Sequence, residues 1–190
     1  MGKIGIGHTR WATHGEPSAR NAHPHLSSSG EVVVVHNGIV ENFIELKEEL
    51  NKKGVEFKSD TDTETIVQLI EMYMTAGQNL ESAVRTTLGR LKGAHGVVVM
   101  STREKDKIIA ARIGNAGGVV IGLGEGENFI ASDIPAILEH TRRLIFLESR
   151  QMAVVTRTGV EISTIEGQPL AQKVSSVAWD PVSAEKGVVS

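Results

Sequence analysis

A chain of 190 residues with 40% hydrophobic and 23% charged side chains suits one domain, or at most two small ones, with a core of its own. The formal net charge of −3, with no recurring basic patch, gives no reason to expect nucleic acid as a partner. With no cysteine, the sequence excludes disulfides, thiolate metal sites and a cysteine nucleophile within this chain.

Apolar runs such as Val32 to Val35 and Val97 to Met100 are strand-sized, so no membrane span is expected. Met1-Gly2-Lys3-Ile4-Gly5 has neither signal-peptide nor transit-peptide character, which makes cytoplasmic residence the expectation. The alternation Ile4-Gly5-Ile6-Gly7 predicts a short strand running into a polar loop from Arg10 to Gly30, long enough to suggest function. Val32 to Val35 reads as a buried strand broken by the turn dipeptide Asn37-Gly38. Phe43, Leu46 and Leu50 share one face of a helix over 43–53, with Gly54 as its C-cap. Thr61-Asp62-Thr63-Glu64 fits a capping box opening a second helix, whose apolar face is Ile66, Leu69, Ile70 and Tyr73. A third helix follows from about Leu80 to Leu91.

The second half reads as strands in close succession, at 94–101, 107–113, 118–123, 128–131, 144–147, 152–156 and 160–163, with one short helix over 134–139. Grouped helices followed by grouped strands give the class α+β with stacked antiparallel sheets. The tail beyond Gln168, holding Pro169 and Pro181, reads as an exit segment, dividing the chain into 1–168 and 169–190.

Three short stretches carry chemistry. His8-Thr9-Arg10-Trp11-Ala12-Thr13-His14-Gly15-Glu16-Pro17 gathers a planar guanidinium suited to a carboxylate, a rigid indole and two hydroxyls. That set suits a small zwitterionic or anionic ligand, and equally a surface loop around a buried tryptophan. His36-Asn37-Gly38 offers an amide N–H beside a backbone N–H, a two-donor cradle for an oxyanion in which one donor is typically worth ~3 kcal/mol; Asn-Gly after a strand is also a common turn. Ser59 to Glu64 is an acidic helix start whose carboxylates favour the N-terminus and leave one free to meet an ammonium group.

Taken together with Asn21-Ala22-His23-Pro24-His25, these stretches resemble, in order and spacing, the class II glutamine amidotransferases. The Arg-Trp-Ala-Thr-His-Gly form is closest to the branch that makes glucosamine 6-phosphate from fructose 6-phosphate. The resemblance continues through Val119 to Gly124, Asn128 to Asp133 and Thr141-Arg142-Arg143, so it covers nearly the whole chain. It implies an N-terminal-nucleophile hydrolase fold, a four-layer α-β-β-α sandwich incomplete at its N-terminus. It also implies roles: Arg10 for the glutamine carboxylate with Thr13 and His14, Asp62 for its ammonium, Asn37 and Gly38 as the oxyanion hole, and Trp11 over the site. L-glutamine is the implied ligand, no cofactor is implied, and fructose 6-phosphate would enter only through a sugar-isomerase domain absent from this sequence. The family's nucleophile is an N-terminal cysteine, so this chain is expected to be a truncated piece that binds glutamine without hydrolysing it, cut from an enzyme that is homodimeric when whole.

Other readings remain open. A non-catalytic regulatory or scaffolding module, or the glutaminase part of another class II enzyme, would use the same stretches. His8, His14, His23, His25 and His36 raise a metal site, but no neighbouring Cys, Asp or Glu completes a ligand spacing, and none is expected. Gly122-Leu123-Gly124-Glu125-Gly126 lacks a following helix or lysine and reads as a hairpin turn rather than a phosphate loop.

Overall fold

The computed structural model describes residues 3–9 and 15–178. Their strands, in chain order, are β1 (His25–Leu26), β2 (Val32–Gly38), β3 (His95–Ser101), β4 (Lys107–Ile113), β5 (Val120–Leu123), β6 (Asn128–Ala131), β7 (Arg143–Phe146), β8 (Gln151–Thr156), β9 (Val160–Thr164), β10 (Pro169–Leu170) and β11 (Ser175–Ser176). Between β2 and β3 lie three helices, α1 (Phe43–Lys52), α2 (Thr63–Thr75) and α3 (Leu80–Leu88). A seven-stranded sheet in the order β1-β2-β3-β4-β8-β9-β10 faces a four-stranded sheet, β11-β7-β5-β6, and every pairing is antiparallel.

The alternation along the central strands explains the layering, because successive side chains point to opposite faces. Val32, Val34, Val97, Val99, Ile109 and Ala111 pack with Leu46, Leu50, Ile66, Leu69, Ile70, Leu80 and Val84 of the helices. On the other face, Val98, Ala110, Ala153 and Val155 meet Val119, Ile121, Ile145 and Leu147 of the second sheet. The outer face of that second sheet is covered, among the described residues, by the turn Ile134–Ala136 with Ile137 and by Val177. Helices, first sheet and second sheet are therefore three layers of the expected sandwich; a fourth, helical layer is not formed by the described residues.

Helix α2 departs from the one-sided amphipathic pattern. Every residue from Thr63 to Ile70 is buried, polar ones included. Its polar side chains fasten the loop that precedes β2: Gln68 Oε1 accepts from Ser28 N–H at 3.2 Å and from its hydroxyl at 2.9 Å, and the Glu71 carboxylate takes the Ser29 hydroxyl and N–H. Partners of this kind are what make buried polar groups tolerable, and the buried Thr65 hydroxyl is the exception in this helix, with no hydrogen-bond partner among the described residues.

Several expectations need correction. Asn37-Gly38 does not turn the chain: the β2–β3 ladder runs through it, with Asn37 opposite Gly96 and Gly38 opposite His95. The capping box is not formed either. Thr61 Oγ1 lies 3.0 Å from His25 Nε2, and Glu64 reaches back past Thr61 to accept from Lys58 N–H at 2.7 Å and Ser59 N–H at 2.6 Å. Ile4 to Gly7 joins no ladder, the third helix ends at Leu88, and the short helix over 134–139 is a single 3₁₀ turn, Ile134–Ala136. Gly122 to Gly126 does close a β5–β6 hairpin, through Gly124 N–H to Glu127 O. Residues 169–176, read as an exit segment, add β10 to the first sheet and β11 to the second.

Candidate functional site

At the end of β2 the hydrogen-bonding directions alternate. Thr102 N–H donates to Glu31 O across the β2–β3 ladder, and Ser27 N–H donates to Val32 O on the other side. Antiparallel alternation then turns the N–H groups of even-numbered β2 residues away from β3. Gly38 N–H thus points to the side where β1 has already ended, with no ladder partner there among the described residues, while Asn37 spends its backbone groups on Gly96.

The side chain of Asn37 lies on the face toward the second sheet. It lines a cavity of about 480 Å³ with Gly7, His8, Thr9, Val35, Gly96, Val98, Gly118, Val119, Ile130 and Ser132 among its walls. The His8 Nε2 atom lies 2.8 Å from Asn37 Oδ1. The loop at 114–118, between β4 and β5, forms a floor beneath Asn37-Gly38. Arg112 Nη1 donates to Leu147 O at 2.9 Å and Ser149 Oγ accepts from Gly114 N–H at 2.8 Å, which anchors that loop to the connection between β7 and β8. Gly38 has φ of +125°, and a Cβ there would meet Ala94 O at 2.1 Å and Ala116 Cβ at 3.0 Å. Only glycine fits this position.

Behind Asn37, four histidines and one threonine form a chain that runs from the helix side of β2 to His8 at the cavity. His95 Nε2 sits 3.2 Å from Lys92 O, a carbonyl that can only accept, so that nitrogen carries the proton. Neutral His95 then accepts at Nδ1 from His36 Nε2 at 3.1 Å, and His36 Nδ1 accepts from the Thr63 hydroxyl at 2.9 Å. Thr63 Oγ1 in turn accepts from His23 Nε2 at 3.1 Å, while His8 stacks on His23 with ring centroids 4.4 Å apart. Burial drives the His36 imidazole well below its ordinary value, and the neighbouring His95, His23, His8 and His25 push it the same way. Burial also lowers His95, against an opposing contribution from the Lys92 carbonyl.

Of the expected site residues, the structure brings Asn37 to the cavity and sets Gly38 beside it. Asp62, 3% exposed at the head of α2, turns its Oδ2 to Val40 N–H at 2.6 Å, two residues beyond Gly38. Asp62 and Asn37-Gly38 are therefore joined through one short stretch of backbone, although Asp62 is not in the cavity wall. Arg10, Trp11, Thr13 and His14 lie outside the described residues. Sequence reasoning gave no role to His95 or to Arg112. Nothing local marks them; they meet the site only through the β2–β3–β4 register. Among the described residues, no group of three or more His, Asp or Glu side chains is arranged to hold a metal ion.

A family model described as the glutamine amidotransferase domain matches residues 1–177. The glutamine–fructose-6-phosphate aminotransferase (isomerizing) of Methanothermobacter thermautotrophicus is 48% identical over 186 residues, which cover 98% of this chain and 31% of that protein. That of Aquifex aeolicus is 50% identical over 185 residues, covering 97% and 31%. The chain thus spans about a third of the length of these relatives. Among solved structures, the glutamine phosphoribosylpyrophosphate amidotransferase from B. subtilis complexed with ADP and GMP superposes with a TM-score of 0.68 at 25% identity, over 83% of this chain and 34% of that one. The allosteric regulatory enzyme of purine biosynthesis gives 0.70 at 25% identity and the same coverage. The two antiparallel sheets with their helices are those of N-terminal-nucleophile amidotransferases.

Proposed function

The chain belongs to the glutamine amidotransferase domain family, and from that premise we propose that it is the glutamine-binding part of an enzyme that passes amide nitrogen from L-glutamine to fructose 6-phosphate. The products are glucosamine 6-phosphate and L-glutamate, which places the enzyme in amino sugar synthesis in the cytoplasm. The observation that carries this reading is the pair at the end of β2: a Gly38 N–H that meets no ladder partner among the described residues, beside the Asn37 amide at the wall of a cavity. Such a pair is suited to the oxyanion that forms when a side-chain amide is attacked.

In this reading Arg10, with Thr13 and His14, pairs with the glutamine α-carboxylate. Asp62 attracts its ammonium group, and Trp11 covers the amide end. Acceptor chemistry belongs to a sugar-isomerase domain to which 169–190 leads, and the whole enzyme is a homodimer. This chain, with no cysteine, binds glutamine without hydrolysing it. Loss of a nucleophile in comparable hydrolases costs on the order of 10⁶ in rate.

The test is a glutamine titration of the purified chain followed at the Trp11 indole ¹⁵N–H, with ammonia release measured in the same samples. Saturable binding in the millimolar range, weakened at least tenfold by Asp62→Asn, is expected. That substitution keeps an acceptor for Val40 N–H and removes only the charge. No binding up to saturating glutamine would refute the reading. Ammonia release that Asn37→Ala abolishes would refute the catalytic silence of this chain.

A further inference from the structure

We propose that His8 is the positioning residue that fixes which end of the Asn37 amide is engaged as acceptor and which is left to donate; this rests on the oxyanion role given to Asn37 above. A terminal amide has two chemically opposite ends, an accepting oxygen and a donating NH₂, and rotation by half a turn exchanges them at almost no change in shape. An oxyanion hole works in one orientation only. If the oxygen faced the reacting carbonyl, a lone pair would meet the developing negative charge.

His8, in the wall of the same cavity as Asn37, holds the useful orientation through the amide oxygen. The His8 Nε2 atom, 2.8 Å from Asn37 Oδ1, supplies an N–H to the oxygen. The amide nitrogen is left facing Gly117, where a Cβ on that glycine would stand 3.9 Å from Nδ2. Neighbouring groups restrain the histidine in turn. Its ring stacks on His23 at 4.4 Å and 28°, and His23 Nε2 is tied to Thr63 Oγ1, in the first residue of α2, at 3.1 Å. The same Thr63 oxygen donates to His36, the residue immediately before Asn37. One hydroxyl at the head of α2 therefore sets both the backbone that carries Asn37 and, through two stacked imidazoles, the ring that selects its amide orientation. Packing alone does not do this, because the two amide orientations fill the same space.

The tautomer of His8 gives the direct reading. Long-range ¹⁵N correlation spectra of the chain at pH 8, without glutamine, are expected to show the proton of neutral His8 on Nε2. The Asn37 NH₂ protons are expected to give cross-relaxation to the Gly117 α-protons rather than to the His8 ring. His8→Phe keeps a planar ring for the stack and removes the donor; it should scramble that pattern into two amide populations. His8→Gln, which restores an N–H at similar reach, should recover a single one. A proton on His8 Nδ1 alone, an Asn37 NH₂ group turned to the His8 ring, or an unchanged pattern in His8→Phe would each overturn the assignment. None of these readouts requires glutamine. Failure here is therefore distinct from failure of the glutamine titration at Trp11.

Discussion

Replacing Gly38 by alanine tests the geometry of the donor pair at its tightest point. The backbone there has φ of +125°, and the added methyl would stand 2.1 Å from the Ala94 carbonyl oxygen and 3.0 Å from Ala116 Cβ. Holding a side chain at such a dihedral costs about 1–3 kcal/mol, and pushing apart a packed neighbour costs typically 1–3 kcal/mol more. Against this, alanine stiffens the unfolded chain and returns about 0.4–1 kcal/mol. The net expectation is a loss of about 1–5 kcal/mol in urea unfolding followed by far-ultraviolet circular dichroism. Gly30→Ala is the control: φ is +77° there, but nothing lies within 4 Å of the added carbon, so only the dihedral cost remains. A Gly38→Ala protein no less stable than Gly30→Ala would refute the close approach of β2 to Ala94, and with it the placement of the Gly38 N–H.

Two further outcomes follow from the same neighbourhood. The folded-state values of His36 and His95 are lowered, so between those values and the ordinary one near 6.5 the unfolded chain binds protons that the folded chain does not. Stability is therefore complete above about pH 6.5 and falls below it, by up to about 1.4 kcal/mol per unit of pH for each group. Unfolding free energies from urea titrations at pH 7.5 and 5.5 should differ by about 1–2 kcal/mol, and equal values would sink the reading. Glu64→Ala would strand the buried Ser59 N–H at about 1–3 kcal/mol and free the part-buried Lys58 N–H at less, and thermal unfolding with no loss would show that water replaces the carboxylate.

Much of this architecture was legible because it is local. Runs such as Val32 to Val35, Val97 to Met100 and Lys107 to Ile113 are β-branched or alternating, and the helix faces of α1 and α2 have the right spacing. What failed was what depends on partners far along the chain. Asn37-Gly38 has the sequence of a turn, yet Gly96 and His95 lie opposite and keep the ladder intact. Glu64 has the spacing of a capping box, but the chain before it curls so that Lys58 and Ser59 present their N–H groups first. His95 reaches His36 across a strand pair, on a diagonal of the same sheet face, which no local pattern announces. The Asn37-Gly38 pair was misread in conformation: a strand, not a turn, carries it.

The two short strands of the tail carry a mechanical consequence. β10 lies along the outer side of the first sheet, and β11, a few residues later, lies along the outer side of the second. A single stretch of backbone is thus laced to both. Val177 N–H continues the lacing to Arg142 O, so a load applied to the chain beyond residue 178 is borne first by β7 and then by its neighbour β5. β5 is preceded by Gly118 and Val119, which are part of the cavity wall facing Asn37. Traction on the tail would travel two ladder steps to the floor of the donor pair without passing through any helix.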